Sequence, residues 1–223
     1  GKADWESGME PVAFALTKLQ TVWGKVTHLY GVKNSPELRE VYAKAQPLVI
    51  QFGLRVSQSK ILFKLFDEVH KGSSFSELDE PRRRFINSWL LAAHQAGVDL
   101  AAESLKSFNI NQERLAQLAV DFSNHVLDDI KIRGVSVVSE EDLIGSPAQV
   151  IERCAQRMWF VSVDPTVSRP ILQHCHNQNL RRQLYRECIQ VAADGKNGNA
   201  TLLEEIVGLK NEQAELLGYS STA

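Results

Sequence analysis

The chain has 223 residues, 43% of them hydrophobic, and its 25 basic and 27 acidic side chains leave a formal charge of -2. That length buries a real core, in one large or two small domains, and the charge balance excludes a general polyanion binder, so no nucleic-acid partner is expected. Apolar runs such as Trp89-Leu90-Leu91-Ala92-Ala93 are far short of the roughly 20 residues of a spanning helix, so no transmembrane segment is predicted.

The opening Gly1-Lys2-Ala3-Asp4-Trp5-Glu6 has neither the apolar core nor the cleavage pattern of a secretory signal. A presequence already removed leaves no trace, so an organelle stays open. From Val12 to Tyr30, Phe14, Leu16, Leu19, Val22, Trp23, Val26 and Leu29 recur at three- and four-residue steps and predict a helix that ends at Gly31. Asn34-Ser35-Pro36 opens a second helix, to about Val56, because proline behind a serine cap lacks only an amide the helix end has no use for. A third runs from Lys60 to Lys71 and stops at Gly72. After the polar loop Gly72-Ser73-Ser74-Phe75-Ser76, Asp79-Glu80-Pro81 starts a helix that ends near Gly97. Leu100 to Phe108 reads as a short helix or a connection, and Asn111 to Ile132 as a long helix with the stripe Leu115, Leu118, Ala119, Phe122, Val126 and Ile130.

Val135-Ser136-Val137-Val138 and Trp159-Phe160-Val161-Ser162-Val163 are rich in β-branched and aromatic residues and read as strands flanking a helix from Pro147 to Arg157. Two strands alone are marginal, so they must lie on helices. Short and longer helices follow, Ser168 to Cys175 and Leu180 to Ala193, then the loop Asp194 to Asn199. A last helix has a capping box in Thr201 and Glu204 and a stop at Gly218. The expected fold is mainly α: a single multi-helix domain over 1–223 with a small two-stranded β insert within about 133–164.

Zinc hydrolysis on a helix needs His-Glu-x-x-His, which sets two imidazoles on one face with a carboxylate to activate water. None of the six histidines, His28, His70, His94, His125, His174 and His176, fits that pattern. His174-Cys175-His176 is the one dense group of possible ligands, but helical residues two apart point in different directions, so a helix-end histidine and a buried thiol are the plainer reading. Cys154, Cys175 and Cys188 are odd in number and widely spaced, as befits reduced thiols. Asn199-Ala200-Thr201 matches a glycosylation acceptor only formally, without a secretory signal beside it. No Gly-x-Ser-x-Gly elbow occurs, and Gly195-Lys196-Asn197-Gly198 lacks phosphate-loop spacing. No catalytic residue, cofactor or metal site is assigned. Arg82-Arg83-Arg84 places three cations in a helix's first turn, against its dipole. With Glu77, Asp79 and Glu80 beside them they form either a solvated mixed-charge helix start or a docking surface for an acidic partner.

Four segments resemble one family. Trp23-Gly24-Lys25-Val26-Thr27-His28-Leu29 with Val32-Lys33-Asn34-Ser35-Pro36-Glu37-Leu38-Arg39 is similar to the N-terminal region of thimet oligopeptidase and oligopeptidase A. Phe122-Ser123-Asn124-His125-Val126-Leu127-Asp128, Asn177 to Arg186, and Leu209 to Tyr219 resemble later stretches in the same order and at similar separations, closest to the oligopeptidase A branch of bacteria and plant organelles. The resemblance implies a helical half that walls a deep channel for short peptides. It also implies that the zinc and its His-Glu-x-x-His helix belong to a later half that this chain does not match, so no catalytic position carries over. The run Glu187-Cys188-Ile189-Gln190-Val191 and the short segment between the strands depart from the family pattern.

Two functions from different classes follow. One is a non-catalytic accessory or structural subunit of a larger assembly, with other protein subunits as partners, in a mitochondrion or chloroplast rather than the cytosol. The other is a channel-wall fragment that degrades short peptides together with a separate zinc-bearing half. A regulator competing for the peptidase's partner half is a third.

Overall fold

The computed structural model describes residues 4–222, which are 77% helical with one small antiparallel sheet. The mainly α fold with a small β insert is therefore as expected. The first helix, α1 (Glu10–Val32), is preceded by a π-helical turn, Trp5–Met9, capped by Asp4, whose carboxylate accepts the Ser7 amide at 2.7 Å. Helical backbone thus starts earlier than Val12. Pro11 looks like a first-turn residue, and the turn before it has no apolar period to betray it. Gly31 does not stop α1. The helix runs on to Val32 and closes where the Asn34 side chain donates to the Tyr30 carbonyl at 3.0 Å.

Ser35 caps α2 (Pro36–Ser57) through the Leu38 amide, and Ser59 caps α3 (Lys60–Lys71) through Leu62. The segment after Gly72 tightens into a 3₁₀ turn, Ser73–Glu77, and Asp79 caps α4 (Glu80–Gln95) by accepting the Arg82 amide at 3.0 Å. Leu100–Phe108, which reads as a short helix or a connection, joins the helix expected over Asn111–Ile132 in one helix, α5 (Ala102–Ile132). No glycine or proline interrupts Asn109-Ile110-Asn111. The asparagines, which read as turn residues, instead bond sideways, Asn109 with Gln58 at 2.6 Å and Asn111 with Glu212 at 3.0 Å.

Strands β1 (Gly134–Ser136) and β2 (Phe160–Ser162) pair antiparallel with Val135 opposite Val161, and α6 (Ala148–Gln156) lies between them in sequence. Next comes α7 (Pro165–His174), which begins three residues before the expected Ser168 because Asp164 caps it. Helix α8 (Gln178–Ile189) ends four residues before the expected Ala193, since Ala192 turns to φ 51 and sends its amide to the Asp129 carboxylate at 2.8 Å. The last helix, α9 (Ala200–Leu216), already includes Thr201 in its first turn, so Thr201 is not its cap. At the other end Gly218, at φ 82, gives the expected stop. Its amide bonds the Glu215 carbonyl and that of Tyr219 bonds Ala214, which together satisfy two orphan carbonyls.

The chain divides into two compact units, one of residues 4–114 and 211–222, the other Leu115–Lys210. The first has a core of Met9, Phe66, Val69 and Ile86, with Phe66 stacked on Trp89 at 4.1 Å. The second packs Leu143, Val150, Cys154, Val161, Val163, Ile171, Cys175, Leu180 and Leu184 around the inner face of the hairpin. That contact supplies what the two short strands lack by themselves.

Candidate partner-binding surfaces

Helices α1 and α2 each carry an inward stripe. In α1, Val12, Leu16, Leu19, Trp23, Val26 and Tyr30 alternate four and three apart, all buried or half-buried. Tyr42 of α2 closes the seam, stacked on Trp23 at 5.0 Å and on Tyr30 at 4.2 Å. A second stripe on α1, Phe14, Val22, Leu29 and Val32, stays in solvent, with Phe14 62% exposed beneath the Lys18 ammonium at 4.3 Å. On α2, Val41 and Leu48 are likewise exposed, Leu48 at 68%. Exposed leucines scattered singly need no account, but Phe14, Val22, Leu29 and Val32 share one side of α1, with Lys18 and Lys25 between them.

The three arginines of the triplet differ in exposure. Arg82 is half-covered, over the Trp5 ring at 5.4 Å and 4.0 Å from both Glu6 and Asp79. Arg83 and Arg84 are exposed. The Asp79 cap and the carboxylates beside Arg82 offset the charge that these cations place against the helix dipole.

The histidines of the described residues are dispersed. His70 meets Phe75 edge-on at 4.7 Å, and His94 meets Phe63 at 4.9 Å while pairing with Asp99. His125 bonds the Asn199 side chain at 2.8 Å. His174 ends α7, and the His176 ring lies against Gly145. Between them the Cys175 thiol is buried and donates to the Asp142 carbonyl at 3.3 Å. Among the described residues no three His, Cys, Asp or Glu side chains converge as a metal site. Burial raises the Cys154 and Cys188 thiols above their ordinary pKa, and all three cysteines are free.

One charged group that sequence patterning passed over organises the second unit. Arg133 bonds Asp129 at 2.7 Å, Glu187 at 3.2 Å and Asp194 at 2.9 Å. Burial pushes the Asp129 carboxyl up, but the Ala192 amide and Arg133 outweigh it and hold it below its ordinary value. The Asp129 hydrogen bond, set against burial, raises Arg133 further. The i,i+4 spacing of Asp129 and Arg133 was visible in the sequence, whereas Glu187 and Asp194 arrive from distant chain.

Comparison with known proteins agrees with this architecture. Residues 2–105 match the neurolysin/thimet oligopeptidase N-terminal domain, and residues 171–223 match peptidase family M3. The chain belongs to the N-terminal portion of the thimet oligopeptidase and oligopeptidase A family. Among oligopeptidase A relatives, the organellar (chloroplastic/mitochondrial) protein of Arabidopsis thaliana is 30% identical over 98% of this chain and 30% of its own length. A probable cytosolic oligopeptidase A of the same plant is 29% identical over 98% of this chain and 33% of its own length. The Escherichia coli (strain K12) oligopeptidase A is 29% identical over 98% and 34%. The chain thus spans about a third of the length of these relatives. Helices α1 to α4 and the whole of α8 and α9 lie within the family matches, and the β insert lies outside both.

Proposed function

We propose that this chain is a non-catalytic element that works with a protein partner, as an accessory or structural subunit of a larger assembly in a mitochondrion or chloroplast. Carrying this reading is the second apolar stripe of α1, Phe14, Val22, Leu29 and Val32, left in solvent on a chain that already has its inward seam. Lys18 and Lys25 share that side of the helix, and Arg83 and Arg84 are exposed on α4, so the partner presents apolar and acidic groups. The organellar compartment draws support from the Arabidopsis organellar relative, although the cytosolic and bacterial relatives match to nearly the same degree.

A second reading is favoured by the oligopeptidase relatives themselves. The chain would wall a channel for short peptides, with zinc and general base supplied by a separate half. Co-expression with the remaining two-thirds of an oligopeptidase A separates the two. An accessory subunit leaves peptide cleavage unchanged, co-purifies from organelles with other subunits, and loses them when Phe14, Val22 and Leu29 become glutamine. Zinc-dependent cleavage that appears only when both pieces are present establishes the channel-wall reading and overturns the first.

A further inference from the structure

The β insert of the second unit carries a surface patch whose two halves complement each other. One half is a shallow cavity of about 430 Å³ lined by Lys131, Ile132, Ser136, Arg157, Met158 and Phe160. No carboxylate lines it. Its apolar groups stand in water, Ile132 at 70% and Met158 at 90% exposure. Met158 and Trp159 both have left-handed backbone, φ 56 and φ 60. Side chains rarely adopt that region, and such strain persists only where the surroundings enforce it. Trp159 uses the turn to pack on the core, while Met158 is held outward. The Arg157 guanidinium is also fixed, donating to the Lys131 carbonyl at 3.1 Å and lying over the Phe160 ring at 5.2 Å. Lys131 is shared with Asp128 on its own helix at 3.0 Å, so Arg157 is the main charge the cavity offers.

The other half begins two residues beyond Ser136. Val138 is 87% exposed, and Glu140 and Glu141 follow it in solvent on the 3₁₀ turn Glu140–Leu143. The turn is anchored at both ends. Val138 donates its amide to the Asp142 carboxylate at 2.9 Å, and Leu143 is buried in the core. An apolar residue and two carboxylates therefore follow, two to five residues along the chain, from Ser136, which lines a cavity with two cations and three apolar walls.

We propose that this patch is an isologous interface through which two copies of the chain pair. Val138, Glu140 and Glu141 of one copy meet Ile132, Arg157 and Met158 of the other, and a two-fold axis makes each contact twice. A second copy fits better than an unrelated protein because the cationic cavity and its acidic, apolar complement are carried by one segment of the same chain, so one closed pair satisfies both. The patch is small and its attraction largely ionic, so the pairing is weak and falls with salt.

Sedimentation equilibrium of the full chain tests this. A monomer–dimer equilibrium weakened by salt is expected. Reversing the cationic half (Lys131→Glu with Arg157→Glu) or the acidic half (Glu140→Lys with Glu141→Lys) should weaken it by roughly tenfold or more. Mixing the two reversed variants should restore pairing, now as a heterodimer, because each carries what the other lost. Met158→Gly relaxes the left-handed backbone, so it should keep or raise the melting temperature while weakening the dimer. That variant keeps the test decisive if charge reversal disturbs the fold. A chain that stays monomeric at every concentration overturns the proposal. So does a dimer indifferent to these substitutions, or a mixture that fails to pair.

Discussion

Asp129 is the most consequential single residue in the second unit, because it takes the Ala192 amide and the Arg133 guanidinium on one buried carboxylate. Asp129→Ala removes one of the three carboxylates on Arg133 and leaves the buried Ala192 amide without its acceptor, and an orphaned buried donor costs about 2 kcal/mol. Urea unfolding at neutral pH should show it. The pH dependence has a definite sign. A carboxylate whose folded pKa is depressed adds stability that is fully present above the unfolded value of about 4 and is lost as pH falls through the folded value. Acidification should therefore destabilise the native chain across that window, and Asp129→Asn should flatten the profile there. At the cysteines, burial and raised pKa predict that the Cys154 and Cys188 thiols of native protein resist alkylation near neutral pH and react once urea unfolds it. Mass spectrometry after timed labelling checks this. Little of the ionic cluster was legible beforehand, since Glu187 and Asp194 are 54 and 61 residues from Arg133 and only the fold brings them there.

Caps and periodicity made most elements readable. Ser35-Pro36 placed the start of α2, Lys60–Lys71 was delimited at both ends, and Asp79-Glu80-Pro81 placed the start of α4, because each signal is a local hydrogen-bond need met by a neighbour in sequence. Boundaries slipped where a distant partner decided them, as when Asn109 and Asn111 bonded across to other helices and let α5 run unbroken, or when Ala192 bent to reach Asp129. Ser35→Ala should cost about 1 kcal/mol through the lost cap. Gly145→Ala should cost more. Gly145 has φ 94, and an added Cβ would come within 2.4 Å of the His174 carbonyl oxygen, so a loss of about 2 kcal/mol or more is expected. Thermal melts of the two variants measure both.

For the chain as a whole, the surfaces matter more than any pocket. The inward seam of α1 was legible as a helical stripe, but the pattern weighted Phe14, Val22 and Leu29 equally with Leu16 and Trp23. Only the fold separates covered from uncovered residues. Because the outer stripe is solvated, replacing Phe14, Val22 and Leu29 with glutamine should change stability by only about 0.5 kcal/mol per site, while solubility rises and partner binding falls. Calorimetry and co-purification together test that. The Arg133 cluster, finally, bears on synthesis at the ribosome. At 5–20 residues per second, the 61 residues separating Arg133 from Asp194 take roughly 3–12 s to emerge. Until then the nascent guanidinium has Asp129, and later Glu187, but not Asp194, so the cluster stays open, and a chaperone that holds the growing chain has that interval in which to act.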